Sequence, residues 1–398
     1  MVTLAEHYDA YPYPERDPSE ERRRLITGSP SHPLEMDHAL WGGARDWSRP
    51  LRALVAGGGT GDGLIQLAQV LKSAGAPAEI TYLDLSASAR RVAEERARVR
   101  GLDITFRTGS LLEAGEHGPF DYIDCCGVLH HLDDPEAGFR ALRAALAPGG
   151  GMGMMVYAPY GRSGVYPLQE AFGAILGGLP PEERLNAAKG IMGGVPQGHP
   201  FRSNPNLVDH AASDAGFYDL LLHGQDRPYS VTELLETFDA TGWQLARFAM
   251  PGLYDLGALT PHGADLPERA RMAAAEKLRG TIKTHIAYAV PEGAEVPKAS
   301  VRDTKLVPHL RGLKADAAAR AVAAGKPLPL RLGSETRELS LPKGAAPLLG
   351  AIDGRRSVAE ISATVRLDPI AAASHWGRIE AALAPWGLML LSGLLRRR

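Results

Sequence analysis

At 398 residues, 44% hydrophobic and 23% charged, the chain has the composition of a folded protein and the length of two or three globular units. A formal net charge of −2 provides no overall attraction to nucleic acid or to an anionic membrane. The two cysteines, Cys125 and Cys126, are adjacent, which excludes a disulfide framework, and no His/Cys cluster with zinc spacing accompanies them, so no metal is expected.

Met1 to Asp9 lack a basic segment followed by an apolar core, and no apolar run approaches the ~20 residues of a membrane helix. The expectation is a soluble, cytoplasmic protein without a membrane partner. Residues 1–50 are polar, aromatic and proline-rich, and read as an irregular arm too poor in periodic apolar residues to hold a core. Alternation of strand and helix patterns begins at Leu51. Strands are predicted over Leu51–Ala56, Ile80–Leu83, Ile104–Thr108, Phe120–Cys126 and Met152–Tyr157. Helices are predicted over Asp62–Ala74, Ser86–Arg100 and Pro135–Leu146. Strict alternation of this kind implies a parallel sheet covered on both faces.

The pattern then breaks. Residues 159–228 carry many Gly and Pro between short apolar pieces and read as a helical insertion. Ser230 with Glu233 three residues on opens a helix over 231–240, and strands follow at Trp243–Met250 and His285–Val290. Residues 291–299 have the proline and charge content of a linker. Beyond it, 300–398 read as a separate small unit: a helix at Ala315–Ala324, a strand at Leu328–Leu332, three short helices and a terminal β-like run, Trp386–Ser392.

The stretch Leu54-Val-Ala-Gly-Gly-Gly-Thr-Gly-Asp-Gly63 carries the most chemistry. A buried strand runs into glycines and then into a helix, so the backbone turns sharply and meets a ligand without an intervening Cβ. The second strand, Ile80-Thr-Tyr-Leu-Asp84, ends in a carboxylate placed to accept both hydroxyls of a ribose.

With these motifs in order, the chain resembles the class I S-adenosylmethionine-dependent methyltransferases. Three further segments carry the resemblance: Gly109-Ser110-Leu111, the run from Phe120 through Leu-His-His-Leu to Pro135, and Leu146-Ala-Pro-Gly-Gly150. It implies a Rossmann-like α/β sheet, mostly parallel with an antiparallel last strand, in two pieces (51–158 and 229–290). The helical insertion would lie between them as a lid, and a small α+β, winged-helix-like domain would follow. It also implies S-adenosyl-L-methionine as cofactor, with Gly57, Gly59 and Gly61 beneath its methionine part and Asp84 on the ribose. Ser110 and Leu111 would meet the adenine, and Gly127 and Val128 would face the sulfonium. Two departures stand out: Val55 replaces an acid usual two residues before the first glycine, and Ser110 replaces a frequent Asp.

Methyl transfer from a sulfonium needs positioning and water exclusion more than an acid–base set, but oxygen and protonated-amine acceptors must also lose a proton. Tyr157, Tyr160, His223 and Asp226 are the candidate catalytic residues, and His130 or His131 is a further possible base. Tyr8, Tyr11 and Tyr13 of the arm are candidates to cover cofactor or substrate. The acceptor is expected to be a nitrogen or oxygen of a protein or peptide side chain, with a small-molecule metabolite as the alternative. A catalytically degenerate, cofactor-binding scaffold is a third reading. Nucleic acid is not expected, and the trailing domain suggests a homodimer.

Overall fold

The computed structural model describes residues 14–396. Strands β1 (Leu51–Ala56), β2 (Ala78–Asp84), β3 (Thr105–Thr108), β4 (Phe120–Cys126), β5 (Leu146–Tyr157), β6 (Trp243–Phe248) and β7 (Thr284–Pro291) form one sheet. Its order is β3-β2-β1-β4-β5-β7-β6, with β7 antiparallel to both β5 and β6. The reversal of strand order at β1 and β4 opens a crevice above their C-terminal ends, where ligands of open α/β sheets bind. The fifth strand is longer than predicted. It starts at Leu146, and the Pro148–Gly151 segment is absorbed by a register irregularity between Phe120 and Tyr122.

Helix α1 (Pro33–Leu40) precedes the sheet, and α2 (Asp62–Ala74), α3 (Ala87–Arg100) and α4 (Pro135–Ala144) connect its parallel strands. The inserted segment folds into α5 (Val165–Leu176), α6 (Pro181–Met192), α7 (Pro200–Ser203), α8 (Asp209–Ala212) and α9 (Asp214–Leu221). It has its own apolar cluster, including Val165, Phe172, Leu185, Phe201 and Phe217. The chain rejoins the sheet through α10 (Val231–Ala240), capped by the reciprocal Ser230–Glu233 box, and α11 (Glu268–Arg279).

The C-terminal part contains β8 (Val307–Leu310), α12 (Ala315–Ala323) and a hairpin of β9 (Leu328–Leu332) and β10 (Glu335–Leu339). Helices α13 (Ala346–Gly350), α14 (Val358–Thr364) and α15 (Pro369–Leu383) follow, then β11 (Met389–Ser392), which pairs with β8. Most of its apolar residues form a separate core around Val322, Leu348, Ile361, Trp376 and Leu383. Leu390 and Leu394, however, join the core of the sheet domain with Met36, Leu40 and Trp47.

That crossing explains α1. All eight of its residues are buried, four of them with polar or charged side chains or a proline ring. Asp37 accepts from Trp47 Nε1 at 3.1 Å and from Ser392 Oγ at 2.6 Å, so a buried carboxyl ties the arm to the chain's last strand. Residues 291–299, read from composition as a linker, pack on the sheet domain: Gln244 Nε2 donates to the Ala294 carbonyl at 2.6 Å, and Val296 lies against the same core.

Candidate active site

Three glycines of the β1–α2 turn take the left-handed backbone conformation: Gly57 (φ +67°), Gly59 (φ +50°) and Gly61 (φ +98°). A Cβ on Gly57 would lie 2.4 Å from a Val128 methyl, so the turn after β1 meets the Val128 side chain of the loop after β4 this closely only because none is there. Asp84 holds the turn's shape. Its carboxylate accepts from the Gly59 N–H and the Ser86 N–H, both at 2.8 Å.

Above this turn lies a cavity of about 390 Å³. Of the residues singled out by sequence, Gly57, Gly59, Asp84, Ser110, Leu111, Gly127, Val128 and Tyr157 line it. Gly61 does not. It caps α2, and its missing Cβ lets α2 approach Ala93 of α3. Ser110 lines the wall while its hydroxyl accepts from Leu112 N–H at 3.2 Å, in a capping box with Glu113. Tyr8, Tyr11 and Tyr13 lie outside the described residues. The arm nonetheless reaches the cavity: Pro14, Ile26, Thr27, Gly28, Ser29 and Ser31 all line it.

The arm is fastened from below. Arg96, with 1% of its side chain exposed, pairs with Glu21 at 2.7 Å and with Asp62 at 2.8 Å. Arg16 adds a fork onto Asp62, and Gln66 exchanges hydrogen bonds with both backbone groups of Gly28. None of this shows in periodicity, because each pairing joins segments more than thirty residues apart.

At the far end of the cavity, β5, the β4 loop and α9 converge. Tyr157, His131 and Asp219 line the wall, whereas Tyr160, His223 and Asp226 do not. The ring contacts explain the difference. His223 stacks beneath His131 with centroids 3.9 Å apart, and its Nδ1 accepts from Gln225 N–H. The Asp226 side chain is fully buried, accepting from Arg162 at 3.1 Å and from Gln169 at 3.0 Å. Asp226 is therefore the counter-ion of a buried arginine, and Arg162 in turn lies over the Tyr157 ring at 3.6 Å.

His131, in contrast, has a defined tautomer. Its Nδ1 lies 2.8 Å from the Gln225 carbonyl oxygen, which only accepts, so Nδ1 carries the hydrogen and the lone pair of the neutral ring resides on Nε2. His131, Asp219 and His223 each present a polar atom within 4.8 Å of the others. Asp219 accepts from the Tyr157 hydroxyl at 3.2 Å, and burial raises its carboxyl above the ordinary range. Burial likewise holds His130 well below the usual imidazole value, and His130 packs on Tyr157. Asp219 lies in the short stretch Tyr218–Tyr229 that also holds His223, Asp226 and Arg227, and only the fold separates it from Asp226.

Comparison with known proteins agrees with this geometry. Residues 54–152 match the family described as methyltransferase domain. An uncharacterized protein of Synechococcus sp. is 33% identical over 249 residues, 61% of this chain and 58% of that protein. The chain thus spans little more than half the length of that relative. The ubiquinone biosynthesis O-methyltransferase of Xanthomonas axonopodis pv. citri is 34% identical over 103 residues, 25% of this chain and 41% of the relative. The structure of PKMT2 from Rickettsia typhi superposes with a TM-score of 0.67 at 12% identity, covering 93% of this chain and 77% of that one. An identity so low speaks to fold alone. By sheet order, glycine turn and domain match, the chain carries a class I, S-adenosylmethionine-dependent methyltransferase domain.

Proposed function

We propose that the protein transfers a methyl group from S-adenosylmethionine to a nitrogen or oxygen of a protein or peptide side chain. The observation that carries this reading is one cavity with Asp84 at one end, the glycine turn along its floor and the His131–Asp219–Tyr157 group at the other. The residues suit the cofactor. Asp84 would accept from the ribose diol, Leu85 and Leu111 would flank the adenine, and Gly127 and Val128 would border the sulfonium. When bound, the cofactor supplies a methyl group on an already activated leaving group.

The chain's own work is positioning and proton removal. The arm over the cavity excludes water, and the strand ends orient the acceptor. His131 Nε2 takes the proton that a hydroxyl or ammonium acceptor must lose, Gln225 holds the ring by its other nitrogen, and Asp219 lies beside it with the Tyr157 hydroxyl. His223 and Asp226 then support the site from behind it.

The cavity volume supports a side-chain acceptor. About 390 Å³ is toward the small end of the roughly 300–1,000 Å³ usual for ligand pockets, and cofactor and acceptor would have to share it. A reacting group entering from the rim fits better than a whole second metabolite. The likeness to an O-methyltransferase of ubiquinone biosynthesis favours the small-molecule alternative. Both are tested by incubating the purified protein with methyl-labelled cofactor and cell extract, then separating macromolecules from small molecules. Label in protein supports the first reading and label in the small fraction the second. No cofactor binding and no transfer would overturn both.

A further inference from the structure

Asp124 is a carboxyl that the proposed chemistry does not use. It lies near the C-terminal end of β4, 1% exposed, and lines the cavity beside Ser31 and Gly63. Its Oδ2 has no hydrogen-bond partner among the described residues, and no lysine or arginine among them acts on its carboxyl. A buried carboxylate with one oxygen unpartnered and no cation beside it is costly unless it is protonated or a cation arrives. Burial does raise its carboxyl, to about 7, against the lowering effect of hydrogen bonds from Ser31 and Tyr122.

The position of Asp124 says which part of a ligand it meets. Asp84 and Ser110 mark the nucleoside end, over β2 and β3. His131 and Tyr157 mark the transfer end, over β4 and β5. Asp124 belongs to a third corner, between the first turn of α2 and the arm: its Oδ1 would lie 3.7 Å from a Cβ on Gly63. Directly across the ladder from it is Val55, its Cα partner on β1. A ligand with a nucleoside and a sulfonium still has one charged portion to place, its amino acid, which carries an ammonium.

On the reading that this cavity holds S-adenosylmethionine, we propose that Asp124 binds the α-ammonium of its amino-acid portion. The carboxylate then gains the cation it lacks, and the ammonium donates to Oδ2 in a charge-assisted hydrogen bond. Val55 is apolar because the acid that serves this corner stands on the neighbouring strand.

The test uses calorimetry on the full chain with S-adenosylhomocysteine and its deaminated analogue, which has no ammonium. The wild type binds S-adenosylhomocysteine at least tenfold more tightly than the analogue, and Asp124→Asn brings the two within about twofold. Asparagine copies the shape of the protonated carboxyl, so the fold is retained. Equal affinities in the wild type, or a gap that survives Asp124→Asn, would overturn the assignment. The double variant Val55→Asp/Asp124→Val moves the acid across the ladder and restores the preference. A wild type that binds neither compound refutes the cofactor reading itself, a different failure.

Discussion

The Arg96 guanidinium donates to the Thr60 carbonyl oxygen at 2.8 Å, from within the core, and thereby joins α3 to the glycine turn. The same group pairs with Glu21 of the arm and Asp62 of α2. Replacing it with Met leaves two carboxylates without their buried partner, though Arg100 and Arg16 still reach them. Arg96→Met therefore destabilises the protein by about 3–5 kcal/mol in urea denaturation. It also weakens cofactor binding, because the arm and the turn lose their common anchor. A loss below about 1 kcal/mol would mean that the anchor is redundant.

Two aspartates at opposite ends of their strands should differ in their effect on binding. Asp84 faces the cavity, whereas Asp121 accepts from Arg52 N–H at 2.9 Å and lies near Arg45 and Arg52. Asp84→Ala removes charge-assisted bonds of roughly 1.5–3 kcal/mol, so the dissociation constant for S-adenosylhomocysteine rises about ten- to a hundredfold. Asp121→Ala leaves it within about twofold and lowers the melting temperature. Identical constants for the two variants would contradict the ribose role.

The proton acceptor is distinguished from its supports by comparing transfer with binding. His131→Gln keeps cofactor affinity within about threefold while the rate of label transfer to the acceptor fraction falls roughly a hundredfold or more. His223→Asn, behind the ring, reduces transfer less than tenfold. If the His223 variant were the slower of the two, the order of the stacked rings in the mechanism would be reversed.

His32 makes the fold acid-sensitive. Its Nδ1 caps α1 by accepting from Leu34 N–H at 3.2 Å, and burial, with Arg311 nearby, lowers its pKa to about 4. The unfolded side chain titrates near about 6.5, so between about pH 6.5 and 4 the unfolded chain binds a proton that the folded one refuses. The stability this group contributes is complete above about 6.5 and is lost as pH falls toward 4, at about 1.4 kcal/mol per unit. Asparagine keeps the cap without titrating. From pH 7 to 5 the wild type thus loses roughly 2 kcal/mol more than His32→Asn in parallel denaturant titrations. Parallel pH profiles would remove His32 as the cause.

A fragment ending at Val290 loses Leu390, Leu394 and Ser392 together, which uncovers α1 and strips the buried Asp37 of a partner. Its melting temperature should fall well below that of the full chain, or the fragment should be insoluble. A fragment that is as stable as the full chain and binds the cofactor would show that the last strand is dispensable.

What the sequence determined by itself was local. Apolar runs of strand length, helix caps such as Ser230 with Glu233, and glycines before a helix depend on neighbours a few residues away, so the sheet, its glycine turn and the acid that ends β2 were legible. Tertiary structure decided everything that joins distant segments. The sequence does not distinguish His131 from His223 or Asp219 from Asp226 as residue types, and only packing turns one of each pair into the cavity and one behind it. Asp124 reads as one more residue of an apolar strand until register sets it beside Val55. The break in composition at 291–299 suggested a boundary, yet β11 returns to cover α1, because an eight-residue helix with every position buried needs partners on all sides.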